Sequence, residues 1–292
     1  MNEVYEKVRG GGVGCRREAR GLFAVSGSEA LRFLDGLITN DVKTLEDGDA
    51  MLAAFPNAQG RLLAKVSFAR DGERFIIETE AATREKLQQN LYRFTFAGDF
   101  ILEDLSDAFT NFEIFADSDR TKGLTASGAF KFERPYGCGI FVPNEHAEEF
   151  SETLSDAAEI DDETFETLRI EYGIPLYEKD MDETTVVPEL GIDEMISYKK
   201  GCYIGQEIIA RIHFRGHIAK RLSGLVLSQP LAAGSELATA EGKNAGQITS
   251  SVLSPKLGEN IALGFVRYDF LAPGTKLFSG EVECTVTELP FI

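Results

Sequence analysis

The chain has 292 residues, 43% of them hydrophobic, and 30 basic against 48 acidic side chains, a formal net charge of −18. That length exceeds one compact core and predicts two or three domains; the acidic excess excludes broad, sequence-independent nucleic-acid binding, because a polyanion would be repelled by most of the surface. No apolar run reaches the length of a membrane span and the opening MNEVYEKVRGGG lacks the apolar core of a signal peptide, so a cytoplasmic protein without a membrane partner is expected. Cys15, Cys138, Cys202 and Cys284 are far apart and form no CxxC pair, which argues against a disulfide framework and against a cysteine-ligated metal or cluster within one chain.

In chain order, residues 22–25 read as a short strand, followed by Ser26-Gly27-Ser28, a turn with N-cap chemistry. The helix after it presents Leu31, Phe33, Leu34 and Leu37 on one face and ends in Asn40 and Asp41, both turn formers. Residues 56–61 turn into a strand over 62–69, and Asp71-Gly72 closes a hairpin onto Phe75-Ile76-Ile77. Residues 81–96 have helical spacing, with Leu87, Leu91 and Phe94 apolar. Strands are predicted at 112–115 and 139–142, and a polar helix at 144–157. Strands and helices in this order suit an α+β unit of ferredoxin-like type. A short helix follows at 164–172, then a charged loop containing Val187-Pro188-Glu189-Leu190.

Residues 200–207, KGCYIGQE, hold the densest set of unusual choices. Gly201 and Gly205 each provide a residue that can take a positive φ or a close backbone approach, and a helix opens at Gln206. Cys202 therefore sits on a constrained loop beside Lys199 and Lys200, near the positive end of a helix, a setting that favours thiolate. The alternative is a small buried hydrophobe in a tight turn. In the helix, Ile208, Ile209 and Ile212 form an apolar face, and Glu207 with Arg211, and Arg211 with Arg215, are spaced four apart. His213 and His217 share that spacing, but with no third ligand in view no metal site is assigned. Residues 199–221 carry a net +5 against −23 for the remainder. Two readings of this basic island stand together: a site for a small anion, and pairing with residues 156–194, where fourteen acids face only Arg169 and Lys179. From Leu222 onward, short apolar runs separated by Gly, Ser and Pro predict an all-β module, a small barrel, with a boundary near residue 219.

Several of these stretches resemble one family. KGCYIGQE is similar to the signature of the YgfZ family of folate-binding proteins, relatives of the glycine-cleavage T-protein, an aminomethyltransferase. The segment FLDGLITND at 33–41 resembles the family's FLQGLxTNDV, residues 169–175 its RIxxGIP, VPEL at 187–190 a segment shared with T-proteins, and residues 246–255 the superfamily's GxxTS…SP. The resemblance implies a GcvT-like fold: two intertwined ferredoxin-like α+β subdomains over residues 1–218 around a central folate cavity, and a C-terminal β-barrel over 219–292. It implies tetrahydrofolate, or a one-carbon derivative, as cofactor, and iron-sulfur proteins or assembly factors, including enzymes that modify tRNA, as partners.

Under that resemblance Cys202 and Lys200 are the chemical residues, Lys200 keeping the thiol ionised. The cofactor-binding set is Glu189, Tyr203, Gly205, Gln206, Arg211, Arg215, Asn40 and Asp41. Glu189 would accept the adjacent N–H donors of a pterin edge, as a carboxylate can in a bidentate manner, and the arginines would meet the glutamate tail. Other family members place tryptophans near the folate; this chain has none, so its ring contacts differ. T-proteins carry an aspartate on the strand after the glycine of the hairpin, where this chain has Lys65. A lysine cannot replace a carboxylate that holds positive charge or accepts a proton. This weighs against the alternative of a tetrahydrofolate-dependent aminomethyltransferase releasing ammonia from a lipoyl-bound aminomethyl group. A folate-independent scaffold whose acidic face docks a partner is the third reading.

Overall fold

The computed structural model describes residues 3–93 and 98–292; Phe94, expected on a helical face, lies outside them. The chain forms two compact units, Met1–Asp161 with Glu194–Gln206, and Asp162–Asp193 with Glu207–Ile292.

The first unit contains two five-stranded sheets. One is wholly antiparallel, in the order Ala50–Pro56, Leu62–Asp71, Arg74–Glu80, Arg20–Ser26, Ile101–Asp104. Its alternating residues Phe23, Val25, Val66, Phe68 and Ile77 bury one face under the helices Ala30–Asp35 and Ala81–Tyr92, through Leu34, Leu87 and Leu91. Asp71 pairs with Arg74 across the hairpin the sequence predicts. The N-cap expected of Ser26-Gly27-Ser28 does not form: Glu29 occupies the cap position without a side-chain bond, and Ser28 Oγ instead donates to Asp99 Oδ2 at 2.8 Å.

The second sheet runs Ala158–Glu159, Gly14–Arg17, Phe109–Phe115, Gly137–Pro143, Phe130–Arg134, with its first pair parallel. Phe150, on the helix Ala147–Thr153, packs edge-on against Phe112. This helix is shorter than the expected 144–157. Its first turn, Asn144–His146, is 3₁₀, and after Thr153 the N–H groups of Leu154, Ser155 and Ala157 each bond three residues back, tightening the chain out of the α-helix.

A buried ionic cluster ties the two sheets together, a feature with no periodic signal in the sequence. Arg134, on the second sheet, lies 3.0 Å from Glu78 Oε1 on the first and 3.0 Å from Glu113 Oε1 on its own. Arg20 Nη2 lies 2.8 Å from Glu78 Oε2, Ser67 Oγ donates to Glu78 Oε1 at 2.6 Å, and the Tyr136 hydroxyl donates to Glu113. Burial alone would push the Glu78 carboxyl up; the Arg134 and Arg20 guanidiniums outweigh it and hold that carboxyl down at about 2.

The second unit is built on a closed six-stranded barrel, in the order Lys220–Leu227, Glu259–Arg267, Asn244–Ser254, Glu236–Ala238, Lys276–Ser279, Val282–Thr287. Leu225, Leu237, Ile248, Leu277 and Val286 fill its core. Closure removes the sheet edges that short strands would otherwise expose. The helix Asp162–Glu171 is clamped to the barrel by Asp180. Its Oδ2 accepts from Arg169 Nη1 at 2.8 Å and Leu176 N at 3.1 Å; its Oδ1 accepts from Thr249 Oγ1 at 2.6 Å and Ser250 Oγ at 2.7 Å. The strand register shifts between Ile248 and Ser250, and a bulge there lets two consecutive hydroxyls reach one carboxylate.

Candidate functional site

The signature loop belongs to the first unit and lies against residues 35–60. Backbone groups left unpaired after the helix Ala30–Asp35 find their partners in residues 194–204. Lys200 Nζ donates to the carbonyls of Asp35 at 2.8 Å, Ile38 at 2.9 Å and Asn40 at 2.6 Å. Ile204 N–H donates to Gly36 O at 3.0 Å, and Ser197 N–H to Thr39 O at 3.0 Å. Thr39 Oγ1 returns a bond to Met195 O at 2.6 Å. Asn40 is used as a spoke: its amide donates to Leu52 O at 2.8 Å and Glu194 O at 2.9 Å, and its Oδ1 accepts Asp41 N–H. Asp41 Oδ1 caps the short turn Val42–Thr44 by accepting Lys43 N–H at 3.2 Å. The two turn formers thus build the platform on which the loop rests.

Gly205 and Gly201 differ, contrary to the parallel roles their spacing suggests. Gly205 has φ +81°, and a Cβ there would be driven into the Asn57 carbonyl oxygen and stand 3.1 Å from Gly60 Cα. Gly201 has no positive φ and open space around it. Tyr203 is buried, its hydroxyl pushed up by that burial, with the Lys200 ammonium 5.1 Å from its ring centroid. Gln206 opens the helix Gln206–Arg215 and folds its amide back to Gly201 O at 3.1 Å. Cys202 is exposed, so the buried-hydrophobe alternative falls. Burial pushes the thiols of Cys15 and Cys138 up to about 12 and that of Cys284 to about 11.

Two residues missed in the sequence complete this arrangement. Asp35 stands where the resembled FLQGL segment has glutamine, a substitution of charge that could have marked it. Its Oδ1 lies 3.2 Å from Lys200 Nζ and its Oδ2 2.5 Å from Lys43 Nζ. Burial raises the Asp35 carboxyl, but the hydrogen bond from Lys43 and the nearby Lys200 charge prevail and hold it below the usual range. Thr39, fully buried, joins both sides of the platform.

The remaining expected residues lie in the second unit. Glu189, in the one-turn helix Val187–Leu190, is buried and accepts Val186 N–H on Oε2 at 3.2 Å, closing the turn upon itself. Arg211 and Arg215 are exposed on the helix. Among the described residues no ion pair joins Glu207 to Arg211, or Arg211, Arg215, Lys220 or Arg221 to the acids of 162–193; Lys220 reaches Asp182 only through its field. His217 stacks on Tyr268 with ring centroids 4.0 Å apart, and His213 packs edge-on against Phe214. Lys65 is not idle: its ammonium lies 3.3 Å from Glu80 Oε1.

Residues 220–292 match the family described as the glycine cleavage T-protein C-terminal barrel domain. The glycine-cleavage aminomethyltransferase T of Bartonella henselae superposes with a TM-score of 0.89 at 20% identity, covering 99% of this chain and 89% of that one. The fold is the T-protein fold. An iron-sulfur cluster assembly factor IBA57 homolog of Pyricularia oryzae is 27% identical over 251 residues, 82% of this chain and 63% of that protein, so this chain spans less than two thirds of that relative's length. A mitochondrial aminomethyltransferase of Flaveria trinervia is 26% identical over 94% of this chain and 80% of its own. Together these matches support a place in the wider GcvT-like superfamily.

Proposed function

We propose that the protein is a folate-binding accessory factor in iron-sulfur cluster assembly or repair, with Cys202 as its working thiol and cluster enzymes, those that modify tRNA among them, as clients. The observation that carries this reading is the exposed Cys202 on a loop fixed by buried hydrogen bonds, in a chain similar over most of its length to proteins named as iron-sulfur cluster assembly factors. An exposed thiol beside rigid backbone can ligate or pass a soft metal or sulfur species without first paying to order its loop.

The residues present fit tetrahydrofolate in part. Glu189 is a buried carboxylate whose orientation Val186 N–H fixes, the acceptor that a pterin edge requires. Arg211 and Arg215 are exposed guanidiniums suited to carboxylates. Asn40 does not fit as a ligand contact, because its amide and carbonyl are committed to Leu52, Glu194 and Asp41. When bound, tetrahydrofolate supplies a one-carbon carrier; Glu189 would orient its ring and the arginines its tail. The aminomethyltransferase reading has support in relatives such as that of Flaveria trinervia, but the position that would need a carboxylate holds Lys65, already paired with Glu80.

The test is calorimetric titration of tetrahydrofolate into the wild type and Glu189→Gln. Loss of a charge-assisted bidentate contact weakens binding at least about tenfold. No binding by the wild type would overturn the folate half of the reading and leave the scaffold in front.

A further inference from the structure

We infer that Lys200 is a positioning residue: its ammonium fills a cation cage made of the Asp35, Ile38 and Asn40 carbonyls and the Asp35 carboxylate, and this plug sets where Cys202 stands. An ammonium has three N–H donors, and all three are taken by those carbonyls, at 2.6 to 2.9 Å. The Asp35 carboxylate, 3.2 Å away, neutralises the charge while Lys43 engages its other oxygen. The Lys200 side chain is fully enclosed, and the Tyr203 ring lies 5.1 Å from Nζ.

The chain on the far side of Cys202 is pinned as well, by the buried Tyr203 and by Ile204 N–H on Gly36 O. Only Gly201 and Cys202 stand exposed between the two pins. An ammonium whose donors are all spent on carbonyls is anchoring a loop rather than waiting on a thiol. The roles expected of Lys200 and Cys202 as one chemical pair therefore separate: Lys200 places, Cys202 acts. The cage also explains the charge at position 35, since an acid there neutralises a buried cation that glutamine could only solvate.

The consequence for function rests on the reading of Cys202 as the working thiol, but the test uses no folate and no cluster, so the two can fail separately. It measures Ile204 amide exchange and, across pH, the rate of Cys202 alkylation by iodoacetamide in wild type, Lys200→Ala and Lys200→Arg. Positioning predicts that Lys200→Ala speeds Ile204 exchange at least about tenfold. Propylammonium, which restores the deleted atoms, should reverse this, and sodium chloride at equal ionic strength should not. Lys200→Arg should not restore protection, because a planar guanidinium cannot converge three donors on such a cage. Unchanged Ile204 exchange with the alkylation midpoint raised by about one pH unit or more would overturn the inference and return Lys200 to thiol activation. If Lys200→Ala does not fold, Asp35→Asn carries the test: exchange about threefold faster or more supports it, and unchanged exchange overturns it.

Discussion

Replacing Gly205 by alanine should damage the first unit, whereas the same change at Gly201, four residues earlier in the same signature, should be silent. At Gly205 an L-residue would be held at φ +81°, a left-handed conformation that costs about 1 to 2 kcal/mol. Its Cβ would also be forced into Asn57 O, with Gly60 Cα 3.1 Å away. Both neighbours are backbone, so no side-chain rotation relieves the overlap, and overpacking of this kind costs about 1 to 3 kcal/mol. The sum, about 3 kcal/mol, corresponds to a fall in Tm of about 6 to 12 °C for a unit of this size. Gly201 meets nothing within 4 Å of an added Cβ, and its alanine variant should stay within about 0.5 kcal/mol of wild type. Thermal melts followed by circular dichroism decide the matter. Equal midpoints for the two variants, or a larger loss at Gly201, would refute the argument that one glycine is required by contact with the Asn57–Gly60 turn.

Three further outcomes follow from the buried polar groups. The Glu78 carboxyl is lowered from 4.5 to about 2; because the folded value is the lower one, its stabilisation is fully present above pH 4.5 and is lost as pH falls through about 2. The whole of it is about 3 kcal/mol, of which about 2 is lost by pH 3, so urea denaturation between pH 6 and pH 3 should show a smaller loss for Glu78→Gln than for wild type; parallel slopes would count against it. Asp180→Ala leaves Arg169 with Glu166 as its remaining carboxylate and takes the acceptor from Arg169 Nη1, Leu176 N–H and the Thr249 and Ser250 hydroxyls; it should cost the second unit about 2 to 3 kcal/mol, seen as early proteolysis between residues 172 and 186 while the barrel persists. Native alkylation should label Cys202 ahead of Cys15, Cys138 and Cys284, whose thiols burial pushes up; mass spectrometry of the first adduct checks this.

Local pattern carried far in this chain. The strand over 62–69 and the turn at Asp71-Gly72 are short-range readings, and the hairpin they announce is present. So are the barrel after residue 219 and the helix that opens at Gln206. Failures came where an end or a cap depends on partners distant in sequence. Ser28 offered an N-cap, but Asp99, seventy-one residues away, takes its hydroxyl. The helix over 144–157 ends at Thr153, because the chain is drawn into a parallel pair with Gly14–Arg17, where Ala158 N–H bonds Val13 O, one hundred and forty-five residues back.

The site divides along the same line. The sequence alone singled out residues 200–207, set a thiol between two glycines, and put Lys65 where the resemblance to T-proteins leads one to expect a carboxylate. Only the tertiary structure decided which glycine is under constraint, that Asn40 is a structural spoke, and that Lys200 is enclosed by carbonyls of residues 35, 38 and 40. Main-chain carbonyls carry no residue identity. A cation cage built from them across about 160 residues of chain therefore leaves no motif to read, and it exists only once folding has brought both segments together.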